Sequence, residues 1–426
     1  MTEQLHVLLD GVRMGVLERE GQRVSFAYEA GYRDTRGAIP LSVAMPLAVR
    51  SHGHDVITPF LWGLLPDNVR ILDAWGRRFH VSSGNPFALL RHVGEDCAGA
   101  VQFVTPERLD AVLAARDEEN VQWITPRQVG QRLLGLSRDA SVGRLPTDSG
   151  QFSLGGAQAK TALHKRGRRW GVPFGATPTT HILKPPIAEL DGHCENEHLM
   201  LALARTVGLT AARSEVGHFG DAVAIVVQRY DRLPDPTGRV RRVHQEDLCQ
   251  ALAVMPTRKY QNEGGPSPAD VVALLRRVSS DSGADVRAFV DALLFNWIIA
   301  GTDAHAKNYS LLLAAGGQVR LAPLYDLASA LPYDQLDLRR LRLAMKMGGT
   351  YRLEHIDAGA LGEFAAACDL DADAVRARAV ELSDAVAAHT RAVVEQSGFD
   401  GPTVELLSKR LLKRARALSR ETAAAG

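Results

Sequence analysis

The stretch that most limits how this chain can fold is DVRAFVDALLFNWIIAG, Asp285 to Gly301, together with the polar loop it runs into, Thr302-Asp303-Ala304-His305-Ala306-Lys307-Asn308. Two short strands, YSLLLAA and QVRLAPLYD, follow, and the second ends at Tyr325-Asp326, 18 residues beyond Asn308. The most apolar part, Phe289 to Ala300, is cut by Asp291 and Asn296 and falls short of a bilayer span. The N-terminus, MTEQLHVLLDGVRMGVL, has no basic region ahead of an unbroken apolar run and does not read as a signal peptide. A cytoplasmic protein with no membrane partner is the expectation.

At 426 residues the chain is too long for one ordinary core, and two or three packed units are expected. Strands separated by glycines open it (LHVLLD, VRMGVLERE, QRVSFAYEAGY), in the manner of a β-meander. A helical part runs from Pro59 to about His92, and this first unit closes near Pro106. Two helical patches then precede ASVGRLPTDSG, a loose stretch with the composition of a boundary. Strands return with QFSL, KTALHK, WGVPF and THILKPP. The helix ENEHLMLALARTVGL and the strand pair SEVGHFG and AVAIVVQRYDR come next. From Ser267 the chain is largely helical, with Ser267-Pro268 and Asp285 reading as helix starts. The fold class is α+β, a β-rich lobe feeding a helical lobe, with divisions at 1–106, 107–265 and 266–426.

Fifty basic residues against 49 acidic give a net charge of +1, so no whole-molecule field draws the protein to nucleic acid. Only eight of the basic residues are lysine, and three of them, Lys160, Lys184 and Lys307, stand in the polar motifs. The four cysteines have no zinc spacing and read as reduced thiols.

The Gly-rich turn Ser153-Leu154-Gly155-Gly156-Ala157-Gln158-Ala159-Lys160 lies between two predicted strands, where successive N–H groups can form an anion nest. It is not the Walker pattern. Lys184 ends an apolar strand before a proline pair; a lysine there can hold α/β-phosphates, partnered by Glu197 in preference to Glu195. Phosphoryl transfer from ATP needs a carboxylate to position and deprotonate a hydroxyl, oxygens on Mg²⁺, and cations on the phosphates. Asp303 suits the first role and Asn308 with Asp326 the second, with His305 and Lys307 in the same loop. A metal hydrolase built on Asp303, His305 and Asp326 ranks second, because it leaves the Gly-rich turn and Lys184 unused.

At these residues the sequence resembles the HipA family of bacterial toxin–antitoxin kinases. The likeness runs through FSLGGAQAKTAL, TPTTHILKPP, NEHLMLALARTVGL, QRYDR, VHQEDLCQAL, KYQNEGGP, TDAHAKNYSLLL and LAPLYDLASALP. LPDNVRILDAWGRRF and NPFALLRHVGEDCAGAVQF resemble the extra N-terminal domain of full-length members. The resemblance implies an atypical protein-kinase fold and ATP-dependent phosphorylation of serine or threonine. It makes Asp303 the catalytic base, with Asn308 and Asp326 on Mg²⁺ and Lys184 on the phosphates. Gly155, Gly156, Ala157, Gln158, Ala159 and Lys160 become the phosphate loop. Gln228, Arg229 and Tyr230 fall at the adenine-side hinge, and His305, Ala306, Lys307 and Tyr325 line the nucleotide. His305 is similar to the histidine of phosphoinositide-type kinases, and Ser153 matches the family's autophosphorylated serine. Gln228 stands where an acidic residue is common, a departure that backbone hinge contacts tolerate.

The resemblance also implies partners: a HipB-like helix-turn-helix antitoxin, operator DNA reached through it, and an aminoacyl-tRNA synthetase as substrate. Two rival functions remain, a kinase of small molecules or lipids on the same scaffold, and an inert corepressor serving an antitoxin–DNA complex. The last helix places Val404, Leu407, Leu411 and Leu418 on one stripe and Lys409, Arg410, Lys413, Arg416 and Arg420 mostly on the other. That basic face reads as solvated rather than as a DNA contact, as does the turn Lys165 to Arg169.

Overall fold

The computed structural model describes residues 2–115, 119–140 and 152–424. The boundary stretch ASVGRLPTDSG lies, apart from Ala140, outside the described residues. The chain divides into two compact units. Unit 1 comprises Met1–Pro185, Gly217–Thr257 and Ser310–Arg320; unit 2 comprises Pro186–Val216, Arg258–Tyr309 and Leu321–Gly426.

Unit 1 begins with the meander. Strands Ser51–His52, Arg23–Tyr28, Val12–Glu20, Glu3–Leu9 and Val101–Val104 form one sheet in that order. Its inner face carries Leu5, Val7, Leu17 and Phe26, alternate positions turned into one core, as the period of a strand requires. Helices His54–Gly63, Val69–Phe79 and Pro86–Val93 cover that core.

A six-stranded sheet follows in the order Ser214–Phe219, Ala222–Gln228, His181–Lys184, Thr161–Arg166, Arg169–Pro173, Val121–Ile124. Val121–Ile124 is a strand in a region whose sequence reads as helical only. Its residues pair with Trp170 to Pro173, a partner far along the chain that local pattern does not disclose. QFSL is expected as a strand; its described residues, Phe152 to Leu154, are not in one. Its polar groups bond instead to the first domain, Ser153 N–H to Asp96 O at 2.9 Å and Ser153 Oγ to Leu64 O at 2.8 Å.

Unit 2 is mostly helical: His193–Thr206, Pro268–Val278, Ser282–Ile299, Ala358–Ala367, Ala372–Ser397 and Pro402–Ala424. Ser267 caps its helix as expected, in a reciprocal capping box with Asp270. Asp285 does not start a helix. Asp281 takes the cap, accepting from Ala284 N–H, and the Asp285 carboxylate accepts from Ser279 Oγ and Leu321 N–H. In the last helix the expected stripe is buried and Lys409, Lys413, Arg416 and Arg420 are exposed, while Arg410 is half-buried and donates to Leu331 O. No helix among the described residues is long and apolar enough to cross a membrane.

Candidate functional site

Unit 1 carries the first set of candidate residues. The extended segment after Ser153 lies beside the 66–67 backbone, bridging Gly156 to Pro66 and accepting from Asp67 N–H at Gly156 O. Gly156 has φ +100°, a conformation that side-chain-bearing residues rarely adopt, and the Lys160 ammonium stands where a Cβ would intrude. Lys160 Nζ donates to Gly155 O at 2.6 Å, and Gln158 Nε2 donates to Pro185 O at 3.3 Å. The second bond ties the Gly-rich turn, which also holds Ala157 and Ala159, to the end of the strand carrying Lys184. That strand pairs on one side with Thr161–Arg166 and on the other with Ala222–Gln228, so Lys184 sits opposite Ile225, buried, at the end of a central strand. Gly-rich turn and strand lysine therefore share one end of one sheet.

Gln228 is exposed at the end of its strand, opposite His181. Arg229 is buried and its side chain points elsewhere: Nε and Nη2 donate to Asp231, Nη1 to Thr179 Oγ1 and Nη2 to Cys97 O. Any hinge role for Arg229 therefore falls to its backbone, whose N–H donates to Thr180 O. Tyr230 bonds through its hydroxyl to Gln245.

Unit 2 carries the second set. The apolar helix ends at Ala300, which adopts left-handed φ 54°, and Gly301 N–H donates to Asn296 O at 2.7 Å. A Cβ at Gly301 would collide with the Asn296 amide, so a side chain here would force that buried amide aside. The loop then closes on itself. His305 N–H and Asn308 Nδ2 both donate to Asp303 O, at 2.8 and 2.7 Å, and Asn308 N–H donates to His305 O. The Asp303 side chain is exposed while His305, Ala306, Lys307 and Asn308 are buried, which presents a carboxylate from a fixed base. Because Asn308 Nδ2 is spent on Asp303 O, the oxygen Oδ1 remains as its ligand atom.

Asp326 has φ 53°, a left-handed conformation that costs an aspartate about 1 kcal/mol. Its neighbours on both sides are pinned. Leu324 N–H donates to Thr210 O and Leu324 O accepts from Ala212 N–H, both at 2.8 Å. Downstream, Ser329 N–H donates to Asn196 Oδ1 at 3.0 Å while Asn196 Nδ2 donates to Ser329 O at 2.8 Å. Tyr325 donates to Lys307 O at 2.7 Å, so the Asp326 segment and the Asp303 loop are joined directly. Glu197, next to Asn196, is buried and Glu195 only partly so.

Two residues without a sequence-based role belong to this set. Tyr260 donates its hydroxyl to Asp303 Oδ1 at 2.6 Å and meets the His305 ring edge-on at 4.9 Å. Asn196 holds Ser329 as described. Both lie in stretches that carry the family likeness, Tyr260 in KYQNEGGP and Asn196 in NEHLMLALARTVGL, but neither is given a role there.

Two family models match the chain, the HipA N-terminal domain over residues 5–104 and the HipA-like C-terminal domain over residues 152–392. The Y4mE protein of Sinorhizobium fredii, whose name proposes a kinase, is 36% identical over 399 residues, 92% of each chain. The serine/threonine-protein kinase toxin HipA of Shewanella oneidensis is 30% identical over 79% of this chain and 77% of its own. A solved structure of the S. oneidensis toxin–antitoxin complex of HipA, HipB and operator DNA contains a chain with a TM-score of 0.85 and 26% identity, covering 99% of this chain and 98% of that one. With both models in their expected order and relatives matched across nearly all its length, the chain belongs to the HipA family.

Proposed function

We propose that this chain is an ATP-dependent serine/threonine protein kinase and the toxin of a toxin–antitoxin pair. The observation that carries the reading is the left-handed Asp326, fixed between two pinned points and joined through Tyr325 to the loop that presents Asp303. Strain of that kind persists where the surroundings enforce it, and a carboxylate aimed by such strain suits a metal–phosphate complex.

In this reading Lys184 and the Gly-rich turn bind the phosphates. Asp303 aligns the acceptor hydroxyl and takes its proton as the new O–P bond forms and the bond to the ADP oxygen breaks. Asn308 Oδ1 and the Asp326 carboxylate are hard oxygen donors, the set that Mg²⁺ takes alongside phosphate oxygens and water. Mg²⁺ supplies neutralisation of the charge on the transferring group. His305 and Lys307 complete the polar face of the loop.

Ser153 fits an inhibitory role. Its hydroxyl is fully buried and lies 2.8 Å from Leu64 O, leaving no room for a phosphoryl group, so autophosphorylation would require the segment to leave and take the Gly-rich turn with it. The complex named in the Shewanella structure supports a HipB-like antitoxin, and operator DNA through it, as partners. An aminoacyl-tRNA synthetase is the proposed substrate.

Incubation with labelled ATP, Mg²⁺ and cell extract tests the reading. Label is expected in protein at serine or threonine, absent with Asp303→Asn, and longer-lasting with Ser153→Ala. Label confined to small molecules would favour the rival kinase. Toxicity unchanged by Asp303→Asn would favour the corepressor.

A further inference from the structure

Unit 2 carries a groove of about 750 Å³ that the proposed phosphoryl chemistry does not use. It lies between the last two helices, Ala372–Ser397 and Pro402–Ala424, and the turn that joins them. That turn is set by its own backbone. Gly398 and Gly401 have positive φ, 68° and 103°, Gly398 N–H donates to Glu395 O, and Phe399 N–H donates to Ser397 Oγ. The Phe399 ring meets His198 edge-on at 5.5 Å. Apolar side chains line the groove: Val394 and Phe399, half-buried, with Val404 and Leu412, buried.

The charge on its sides is mostly of one sign. Lys409, Lys413, Arg416 and Arg420 stand three or four residues apart along a stripe of roughly 16 Å, and Arg391 lines the groove from the other helix. All five are exposed, and none makes a hydrogen bond or ion pair among the described residues. Like charges at this spacing on a helix repel. The start of the preceding helix does the opposite, pairing Arg376 with Asp373 and Arg378 with Glu381.

The carboxylates nearby do not cancel the stripe. Asp400 and Glu405 line the groove at its turn end, Glu405 one turn before Lys409. Glu395 and Glu421 lie outside the lining, and Glu421 acts on the half-buried Arg414. With Glu395 counted as well, five cations meet three carboxylates, so the groove stays positive. A nucleic-acid backbone would match that charge but leave the apolar floor unused. A helix with carboxylates three and four residues apart beside an apolar stripe uses both.

We propose that this groove docks an acidic amphipathic helix of a partner protein, its apolar stripe on Val394, Phe399 and Leu412 and its carboxylates on Lys409, Lys413, Arg416 and Arg420. Because the turn is fixed beforehand, docking orders little of the chain, and the charge makes association sensitive to salt.

Fluorescence anisotropy tests this with the full chain and a labelled synthetic helix of about 18 residues that carries glutamates at that spacing beside a leucine stripe. Saturable binding at one site is expected below about 50 µM. Lys413→Glu with Arg416→Glu, both at exposed positions, should weaken it roughly tenfold or more, and Arg70→Glu in unit 1 should leave it unchanged. Should the double variant unfold, Arg391→Glu on the other helix carries the same expectation. A peptide with serine in place of leucine should bind roughly tenfold more weakly. The proposal is overturned if the peptide does not saturate, if the charge-reversed chain binds it as well as wild type, or if the serine peptide binds as tightly as the leucine one. It is also overturned if duplex DNA displaces the peptide at a lower concentration than unlabelled peptide does, or if sedimentation shows a wild-type dimer that Lys413→Glu with Arg416→Glu dissociates.

Discussion

Glu246 offers a sharp test of how this chain's burial is organised. It lies in the strand His244–Asp247, which pairs with Ser310–Ala314, and its side chain is 1% exposed. Oε1 accepts from Val43 N–H at 2.8 Å, while Oε2 has no hydrogen-bond partner among the described residues. Burial is the largest influence and pushes the carboxyl up to about 8. Bonds from Ser42 and Val43 pull the other way, and the Asp247 charge adds to the rise. Because the folded-state value lies above the unfolded one of 4.5, this group stabilises most below pH 4.5. As pH rises towards 8 the unfolded chain sheds its proton and the folded chain keeps it, so stability falls. At 1.36 kcal/mol per pH unit the loss between pH 5 and pH 8 is at most about 3 to 4 kcal/mol. Glutamine has nearly the same shape and does not titrate. Urea unfolding of wild type and Glu246→Gln at pH 5 and pH 8 isolates the effect, since every other titrating group is common to both. Wild type is expected to lose more stability than the variant over this interval, by a difference approaching that figure. Equal pH slopes would show that Glu246 is ionised in the folded state and refute the argument.

Other substitutions probe the proposed site. Tyr260→Phe keeps the ring against His305 but removes the donor to Asp303 Oδ1; kcat should fall about tenfold at unchanged KM for ATP in steady-state assays. Asn196→Ala leaves Ser329 N–H and C=O without their partner; a loss of about 2 to 4 kcal/mol in thermal unfolding is expected, with activity falling below what the unfolded fraction explains. Gly301→Ala forces its Cβ onto the Asn296 amide, and kinetic assays should show phosphorylation lost while circular dichroism reports the helices retained.

Residues whose proposed role follows from reaction chemistry can be named from the sequence, because chemistry restricts their type and spacing. Lys184, Asp303, Asn308 and Asp326 can be picked out for that reason. Residues that hold those groups in place are dictated only by where distant backbone happens to lie. The Ser329 amide that selects Asn196 is far along the chain, and Asn196 looks like any polar position beside Glu195 and Glu197. The same distinction explains the misread elements. QFSL reads as a strand, yet the Ser153 within it bonds to Leu64 and Asp96 of the N-terminal domain. Asp285 has the chemistry of a cap, but Asp281 lies at the actual helix start, and Asp285 is drawn to Leu321 N–H instead.

The buried arginines carry this furthest. In a sequence with so few lysines, Arg229, Arg232 and Arg242 pass for ordinary surface charge or hinge backbone, since charged residues are rarely buried. Their burial follows from Asp96 and Asp231, which arrive from separate segments, and the burial of one guanidinium more than the carboxylates can match exists only in three dimensions. A charge imbalance of that kind leaves no trace in composition, where the chain is almost neutral.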